Sequence, residues 1–350
     1  MKFKLLKERL IQKAIFLERT TSWKFLFTPF RFYTYLNFER YYKISFDFPT
    51  VLFIEPTNKC NLRCVFCPRI KSSKKIGYMD FKLFKKIIDE CIGHKKLCEL
   101  DLHKDGEPLL APNLLKMIKY AKESGISNKV AFASNGILLN EKKSKQILES
   151  GLDELTISLD AVTNETYKKI KGVAAFETVE NNTKRFIEMR NEMGLKEPLV
   201  RVKIVYMKDN IHEVNDFVKK WKSIADSVPV RVYLTWGGSV EDKDITPIKP
   251  IKEPYPCPTL FGNRQNGLAV NWDGEVSVCC VDWNKQLIVG DVKKESIYDI
   301  WHGEKVKQLR LRHLKGDLEG LQCKTCDFKT SLPRMNLFLR RKLMKKTLAT

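Results

Sequence analysis

The strongest constraint on the fold is an alternation of short β-rich runs with amphipathic helical patterns that begins at Val51. The runs predict six strands, at Val51–Glu55, Cys98–His103, Lys129–Ser134, Glu154–Leu159, Leu199–Val205 and Val230–Thr235. Apolar residues recur at helical spacing near residues 80–92, 113–124, 141–150, 163–171, 176–193 and 211–226. This alternation predicts an α/β fold with a parallel sheet and right-handed crossovers. The spacing alone leaves an open sheet and a partial barrel as alternatives.

Composition divides the rest of the chain into segments on either side of this α/β region. The predicted segments are a basic, aromatic, amphipathic N-terminal segment (1–50), the α/β core (51–238), a linker (239–256), a small loop-rich domain (257–330) and a basic tail (331–350). Within the small domain, Asp273-Gly274 lies between the apolar runs Leu268–Trp272 and Glu275–Cys280, a pattern typical of a β-hairpin. A short helix is predicted around Ile297–Leu311.

The composition of the chain is that of a folded, basic protein. Lysine and arginine number 63 against 42 acidic residues, which gives a formal net charge of +21, and the hydrophobic fraction is 43%. That fraction excludes disorder by composition for most of the chain. The sequence contains no run of about 18 uninterrupted apolar residues and therefore predicts no membrane-spanning helix. Because the first residues are too charged for a signal peptide, we expect a cytoplasmic protein.

Much of the charge lies at the two ends of the chain. Residues 1–50 hold ten basic and four acidic residues, and seven basic residues but no acidic one follow Asp327. These ends predict peripheral contact with the inner membrane surface, and a helix docked on the core by its aromatic side is the alternative. No pattern of an RNA-binding module is visible, so a nucleic-acid partner is not favoured.

The ten cysteines form two main groups, and the first directly follows the first predicted strand. Reducing compartments disfavour disulfides, so clustered cysteines there more often bind metal or react. Cys60, Cys64 and Cys67 have the spacing Cys-x3-Cys-x2-Cys, and three thiolates on one loop can ligate three irons of a cubane cluster. A zinc site would ordinarily need a fourth Cys or His ligand, and none lies near by in the sequence. The unligated iron of such a cluster keeps an open coordination position. This position indicates a catalytic cluster.

This loop, with Phe66 before the last cysteine, resembles the signature of radical S-adenosylmethionine (SAM) enzymes. Three further motifs at strand ends are similar to those of the family: Asp105-Gly106-Glu107-Pro108, in which Asp105 replaces a glycine, Ser134-Asn135-Gly136 and Ser158-Leu159-Asp160. The resemblance implies a partial (β/α)6 TIM-type barrel and a 4Fe–4S cluster whose unligated iron chelates SAM. It further implies reductive cleavage of SAM to a 5′-deoxyadenosyl radical that abstracts hydrogen from the substrate.

The resemblance also implies roles for individual residues. Cys60, Cys64 and Cys67 would hold the catalytic cluster, and Phe66 would pack near the adenine. The remaining cofactor-binding candidates are Gly106 and Glu107 for the methionine ammonium, and Ser134, Asn135, Ser158 and Asp160 for the ribose and carboxylate. Each has a structural alternative: Gly106 could only shape a loop, Ser134 and Asn135 could form an ordinary turn, and Asp160 could cap the next helix.

The second group of cysteines resembles the SPASM or twitch extensions of the same superfamily. Cys257-Pro, Gly274-x4-Cys279 and Cys323-x2-Cys326 follow the short form of that pattern. The resemblance implies one auxiliary 4Fe–4S cluster with Cys257, Cys279, Cys323 and Cys326 as ligands. Cys280 is an alternative to Cys279, because adjacent residues on a strand face opposite sides. A four-cysteine zinc site is the alternative for the whole group.

A fully ligated auxiliary cluster favours a role in electron transfer. This role predicts an oxidoreductase. Oxidation of a substrate radical also needs a base, and two candidates are Asp282, just past Cys280, and His103, at the end of the second strand. The non-catalytic alternatives are a solvated turn residue for Asp282 and a packing or hydrogen-bonding role for His103.

The motifs leave the substrate open among three classes. We favour a sugar or related alcohol, small or lipid-linked, with or without phosphate, as in envelope biosynthesis. Modification of a peptide is the first alternative, but residues 1–50 are too short and aromatic for a usual peptide-recognition domain. Modification of RNA is the second. The chemistry implies a low-potential flavodoxin or ferredoxin as electron donor, and such acidic proteins suit a basic surface.

Overall fold

Strands and helices follow one another in the predicted order, within slightly shorter bounds. The structure is a computed structural model that describes residues 47–240, 257–261 and 267–326. The first strands are β1 (Val51–Ile54), β2 (Glu99–Asp101), β3 (Val130–Ser134), β4 (Glu154–Ser158), β5 (Leu199–Tyr206) and β6 (Val230–Val232). The helices among them are α1 (Phe81–Cys91), α2 (Leu114–Ser124), α3 (Glu141–Leu148), α4 (Asn164–Lys171), α5 (Phe176–Glu192) and α6 (Val214–Trp221). Two of these helices, α4 and α5, follow β4, and residues 233–240 after β6 contain none.

Local sequence explains where these helices begin and end. The side chains of Asp80, Asn140 and Thr163 accept hydrogen bonds from backbone N–H groups in the first turns of α1, α3 and α4. Gly125 and Gly172 end α2 and α4 in the left-handed conformation, which costs glycine no steric strain. The loops that leave the strands are therefore placed by short-range signals.

The six strands form one parallel sheet, and the alternation of burial along each strand separates its two faces. In the order β6-β5-β4-β3-β2-β1, every neighbouring pair is parallel. Residues such as Leu155, Val202 and Ile204 are fully buried in the core that the helices complete. Because β6 and a later strand, Ile288–Asp291, lie at opposite edges, the sheet is open over the described residues. The predicted α/β fold with a mostly parallel sheet is confirmed.

The opposite face of the sheet carries polar side chains, which we call the polar face. Register places Ala131 beside both Asp101 and Glu154, Glu154 beside Leu199, and Ser158 beside Lys203. Lys129 pairs with Glu99 at 2.8 Å and with Glu154 at 3.3 Å. Glu154 also pairs with Arg201 at 3.0 Å. This ladder of ion pairs lies where the strands begin, while the strand ends beyond it carry the predicted motifs.

The C-terminal part continues the same sheet. Its elements are β7 (Leu268–Val270), β8 (Glu275–Ser277), β9 (Ile288–Asp291), α7 (Ile297–His302) and α8 (Glu304–Lys315). β7 lies parallel to β1, and β8 is antiparallel to both β7 and β9. Gly267 permits this approach, because a Cβ there would lie 1.8 Å from the Val51 carbonyl oxygen. The predicted hairpin is confirmed, with Gly274 at a φ of +94° in its turn.

The single helix predicted around Ile297–Leu311 is wrong, because two helices occupy this region. α7 begins with a capping box between Ser296 and Asp299, and the chain becomes extended at Gly303 before α8 begins. Glycine favours such a break over continuation of a helix.

Several predictions fall outside the described residues. These are most of the N-terminal segment (1–50), the linker over 241–256 and the basic tail (331–350). Among the helices that the structure describes, none is long and apolar enough to cross a membrane.

Candidate functional site

The first cysteine loop lies at the carboxyl edge of the parallel strands, where α/β folds place their ligands. It leaves β1 and carries Cys60, Cys64 and Cys67, all of them partly buried. The Cys67 N–H donates to the Cys64 carbonyl at 3.0 Å, and Cys67 then begins a short 3-10 helix with Pro68 in its first turn. The Val65 N–H donates to the Ile170 carbonyl at the end of α4, at 3.0 Å. These bonds fix the loop against the end of α4 at the carboxyl edge of the sheet.

The environment of the three thiols favours metal binding over free thiolate chemistry. Burial raises the pKa of Cys60 and Cys64 above the ordinary value and raises that of Cys67 to about 12. Free thiols at these positions would therefore keep their protons at pH 7, and iron would have to displace them on binding.

The next motif packs directly on the cysteine loop. A Cβ on Gly106 would lie 2.1 Å from the Thr57 carbonyl oxygen and 2.7 Å from that of Lys59, so only glycine fits. The Glu107 N–H donates to the Lys59 carbonyl at 2.8 Å. The glycine thus brings the Glu107 side chain beside Cys60.

Glu107 joins three of the predicted motifs. Its carboxylate accepts hydrogen bonds from the Ser134 hydroxyl at 2.8 Å, the Asn135 N–H at 2.7 Å and the Leu109 N–H at 3.0 Å. The Asn135 amide in turn donates to the side chain of Asn61, inside the cysteine loop, at 2.7 Å. Burial raises the pKa of Glu107, and the hydrogen bonds from these backbone groups oppose the rise. The structure therefore brings Glu107, Ser134 and Asn135 together at the loop.

Asp160 does not cap the following helix, since Thr163 does so. Asp160 is fully buried with a φ of +66°, and its carboxylate accepts from the Val205 N–H at 2.6 Å and the Ser158 hydroxyl at 2.9 Å. It also forms an ion pair with Lys171, which sequence reasoning missed. Burial lowers the pKa of Lys171, but Asp160 and Cys64 outweigh burial and raise it above its ordinary value.

Phe66 is half-buried and packs against a small apolar cluster that includes Ile170 and Met207. The Lys171 ammonium lies 5.1 Å from its ring centroid, and Tyr233 meets it edge-on at 6.5 Å. Its backbone carbonyl accepts a hydrogen bond from the Trp236 indole at 3.0 Å. The adenine contact predicted for Phe66 stays a prediction.

A second network escaped sequence reasoning because its members are far apart along the chain. Asp105, in the position of the expected glycine, pairs with Lys74 at 2.6 Å and with Lys104 at 2.7 Å. The buried Glu55 carboxylate accepts from the N–H groups of Asp105 and Trp272, at 3.2 and 3.1 Å. The substitution of the motif glycine by aspartate thus builds a buried ion-pair network beside the cysteine loop.

The second group of cysteines lines one cavity. Its lining includes the side chains of Cys257, Cys279, Cys323 and Cys326, together with Leu260, Val278, Val281, Leu287, Leu309 and others. Cys280 is not part of that lining. Four thiols around one largely aliphatic cavity fit an iron–sulfur cluster that the protein ligates completely.

Comparison with known proteins agrees with both sites. Residues 54–220 match the family model of the radical SAM superfamily, and residues 257–327 match that of the SPASM iron–sulfur cluster-binding domain. The chain is a radical SAM protein. It carries a C-terminal SPASM domain, its cofactors are SAM, a 4Fe–4S cluster and the iron–sulfur group of the SPASM domain, and it is an enzyme. Enzymes of this superfamily use a reductant and a substrate.

Three similar proteins show how broad the family is. The chain is 26% identical to the tungsten-containing aldehyde ferredoxin oxidoreductase cofactor-modifying protein of Pyrococcus furiosus, over 74% of this chain and 82% of that protein. It is 31% identical to GTP 3′,8-cyclase of Clostridium acetobutylicum over 51% of this chain, and it spans about half of that relative's length. The structure of Streptococcus suis SuiB bound to precursor peptide SuiA superposes with a TM-score of 0.61 at 16% identity, covering 96% of this chain and 84% of that one.

Asp282 of this radical SAM protein is fully buried, so the alternative of a solvated turn is wrong. Its carboxylate accepts four hydrogen bonds, from the Ser277 hydroxyl, the Leu287 and Gln286 N–H groups and the Gln322 amide, at 2.8–3.2 Å. The Lys104 ammonium donates to its carbonyl at 3.0 Å. These contacts hold the loop that carries Cys279, and a role of Asp282 as base stays a prediction.

His103 lies on the loop that leaves β2, close to the polar face. Burial, and then the positive charge of Lys203, lower the pKa of His103 to about 4. The imidazole is therefore neutral at pH 7 and able to accept a proton. Burial also lowers the pKa of Lys203 and raises that of Asp101 well above its ordinary value.

Proposed function

We propose that this radical SAM enzyme oxidises or rearranges a hydroxylated substrate of the sugar or alcohol type. The proposal includes substrates with and without a phosphate group. Phosphate-bearing, envelope-related and lipid-linked substrates all belong to this class. The observation that carries the proposal is the cavity with Cys257, Cys279, Cys323 and Cys326 in its lining. Four protein ligands leave a cubane cluster no position for substrate, so electron transfer is the role that fits.

The chain's own residues would divide the work between two sites. Cys60, Cys64 and Cys67 would hold the first cluster, with Glu107 and the groups around Asp160 toward SAM. When bound, SAM and the first cluster supply a radical that removes a hydrogen atom, and the second cluster supplies an acceptor for the electron left on the substrate. A neutral His103 would receive the proton.

The polar face supports a substrate with several hydroxyl groups. Asp101 has a buried carboxylate oxygen without a hydrogen-bond partner, and Lys203 lies across the face from it on β5. Burial raises the pKa of Asp101, and its carboxyl oxygens can accept hydrogen bonds from hydroxyl groups while the Lys203 ammonium can donate them. Donors and acceptors in this pattern suit hydroxyl groups better than apolar side chains of a peptide.

The match of residues 257–327 to the SPASM iron–sulfur cluster-binding domain favours iron over zinc at the second cysteine site. Zinc needs thiolates at about 2.3 Å from one centre, whereas the ligands of a cubane cluster bind different irons and stand further apart. The four cysteines around one cavity fit the larger group.

Turnover of candidate substrates by the anaerobically reconstituted enzyme tests the proposal. Sugar phosphates and amino sugars, short peptides and GTP would each be added with SAM and dithionite, and 5′-deoxyadenosine and products would be measured by mass spectrometry. We expect a sugar-type compound deuterated at a hydroxyl-bearing carbon to transfer deuterium to 5′-deoxyadenosine and to lose two hydrogens. Deuterium transfer from a peptide or from GTP, with none from any sugar or alcohol, would refute the proposal.

A further inference from the structure

Exposed apolar side chains concentrate on the loop that carries the first cysteines. Eight large apolar side chains are exposed in the part of the chain that the structure describes. Four of them are Val65, Ile70, Ile76 and Tyr78, with 38%, 51%, 57% and 40% of their surface exposed. Solvent-exposed apolar groups this close together are typical of a surface that binds another protein.

The same stretch is basic throughout. Residues 59–79 contain six lysines and arginines and no acidic residue: Lys59, Arg63, Arg69, Lys71, Lys74 and Lys75. Lys74 is engaged with Asp105 and Arg69 with the Leu62 carbonyl, while the other four side chains are exposed. We call the exposed side chains of residues 59–78 the loop face. It combines exposed apolar side chains with exposed positive charges.

Hydrogen bonds hold the loop face in a fixed shape. The Thr57 hydroxyl donates to the Gly77 carbonyl at 2.6 Å, and the Asn58 amide donates to the Lys75 carbonyl at 2.8 Å. The Gly77 N–H donates back to Asn58 at 2.9 Å. Since these bonds join the stretch after the cysteines to the stretch before them, a partner on the loop face would bind beside Cys60, Cys64 and Cys67.

We propose that the loop face is the docking surface for an acidic one-electron carrier of the flavodoxin or ferredoxin class. The reduced carrier would give up one electron, the cluster site held by the three cysteines would accept it, and no atom would be transferred. Charge complementarity would steer an acidic partner to this face, and the apolar side chains would supply the contact at its centre. The proposal depends on radical SAM chemistry alone and holds for any substrate.

The chain offers a matched control at the opposite ends of the strands, where the strands begin. Ile92 is 57% exposed, and Lys95 and Lys96 beside it are exposed between α1 and β2. The test pair is therefore Lys71→Glu/Lys75→Glu and the control pair Lys95→Glu/Lys96→Glu, which change the net charge equally. Ile70→Ser and Ile92→Ser form a second pair. All would be made in the full-length, reconstituted protein.

Two measurements would follow for each variant. Calorimetry with oxidised flavodoxin at low salt gives the affinity of docking, and 5′-deoxyadenosine formation is measured with reduced flavodoxin or with dithionite. For Lys71→Glu/Lys75→Glu we expect flavodoxin affinity to fall about tenfold, as for charges at a steering surface, with a weaker dependence on salt. With dithionite, which needs no docking surface, cleavage should stay within about twofold of the parent.

Three outcomes would overturn the proposal. One is unchanged flavodoxin affinity in Lys71→Glu/Lys75→Glu and in Ile70→Ser. A second is an equal loss in the control pairs, which would show a response to net charge alone. The third is a selective loss of binding to anionic phospholipid vesicles with flavodoxin affinity intact, which would assign the loop face to a lipid surface.

Discussion

The two groups of cysteines differ in what surrounds their thiols. The first three stand on a loop whose neighbours are polar: Glu107, Lys171 and the ends of four strands. The last four line a cavity whose other side chains are mostly aliphatic. The first setting can bind a small zwitterion beside an incompletely ligated cluster, whereas the second offers such a ligand few polar groups.

The contrast teaches how one chain separates radical generation from electron transfer. Chemistry on a bound ligand needs charged groups at the reacting centre, and these raise the energetic cost of burial. Electron transfer needs a complete ligand shell and little else. The Lys104 ammonium, which reaches the Asp282 carbonyl from the first site, is one direct link between the two.

The largest expected effect comes from the first cysteine loop. Cys64→Ala should lower the rate of SAM cleavage more than about 100-fold. Loss of a residue that only hydrogen-bonds to a metal ligand already lowers metal affinity or activity about 10–100-fold. The measurement is 5′-deoxyadenosine formed with dithionite under anaerobic conditions. Cys98→Ala, a change outside both groups, is the control. Cleavage near the parent rate in Cys64→Ala would remove this loop from the catalytic site.

The second prediction separates Cys279 from its neighbour. Cys279→Ala should reduce bound iron from about eight to about four per chain while SAM cleavage persists, because only the auxiliary site is lost. Cys280→Ala should retain about eight irons, since Cys280 does not line the cavity. Iron analysis and electron paramagnetic resonance measure both. Iron loss in Cys280→Ala alone would reverse the assignment of the ligand.

The third prediction concerns the buried ion pair of Lys171 and Asp160. Lys171→Met should lower the free energy of unfolding by about 3–5 kcal/mol, because the carboxylate would remain buried without its cation. Lys145→Met, which removes an exposed pair with Glu149, should cost less than about 1 kcal/mol. Urea unfolding compares them. The double variant Lys171→Met/Asp160→Leu should regain part of the loss, and a cost in Lys171→Met equal to that of the control would contradict the burial argument.

Local patterns predicted what depends on neighbours in sequence. The hairpin at Asp273-Gly274 and the cluster-binding roles of the cysteines were predicted from the sequence. Turn residues and the spacing of ligands on one loop are short-range signals. The hydrogen bond from Lys104 to the Asp282 carbonyl was not predictable, because it joins residues brought together only by β7 pairing with β1. The break at Gly303 was missed because the apolar periodicity continues across it.

The fourth prediction tests whether Asp282 is structural or a base. Asp282→Asn should lower the free energy of unfolding by about 1–3 kcal/mol, because an amide nitrogen would face N–H donors that now meet a carboxylate oxygen. The auxiliary iron should also be bound less tightly. The exposed Asp317 gives a control in Asp317→Asn, which should be neutral. Unchanged stability and iron content together with lost product formation would instead favour the base.

The smallest effect is a pH dependence of stability that His103 contributes. Its pKa is about 4 in the folded protein and about 6.5 when unfolded, so the unfolded chain binds the proton more readily. Stability from this group is fully present above pH 6.5 and falls as the pH drops toward 4. Between pH 7 and pH 5 the folded protein should lose about 2 kcal/mol that His103→Gln does not lose. Urea unfolding at both pH values measures the difference, with the exposed His212→Gln as control. Parallel losses in parent and His103→Gln would show that the imidazole is not held neutral by burial, and the proton acceptor would then have to be sought elsewhere on the polar face.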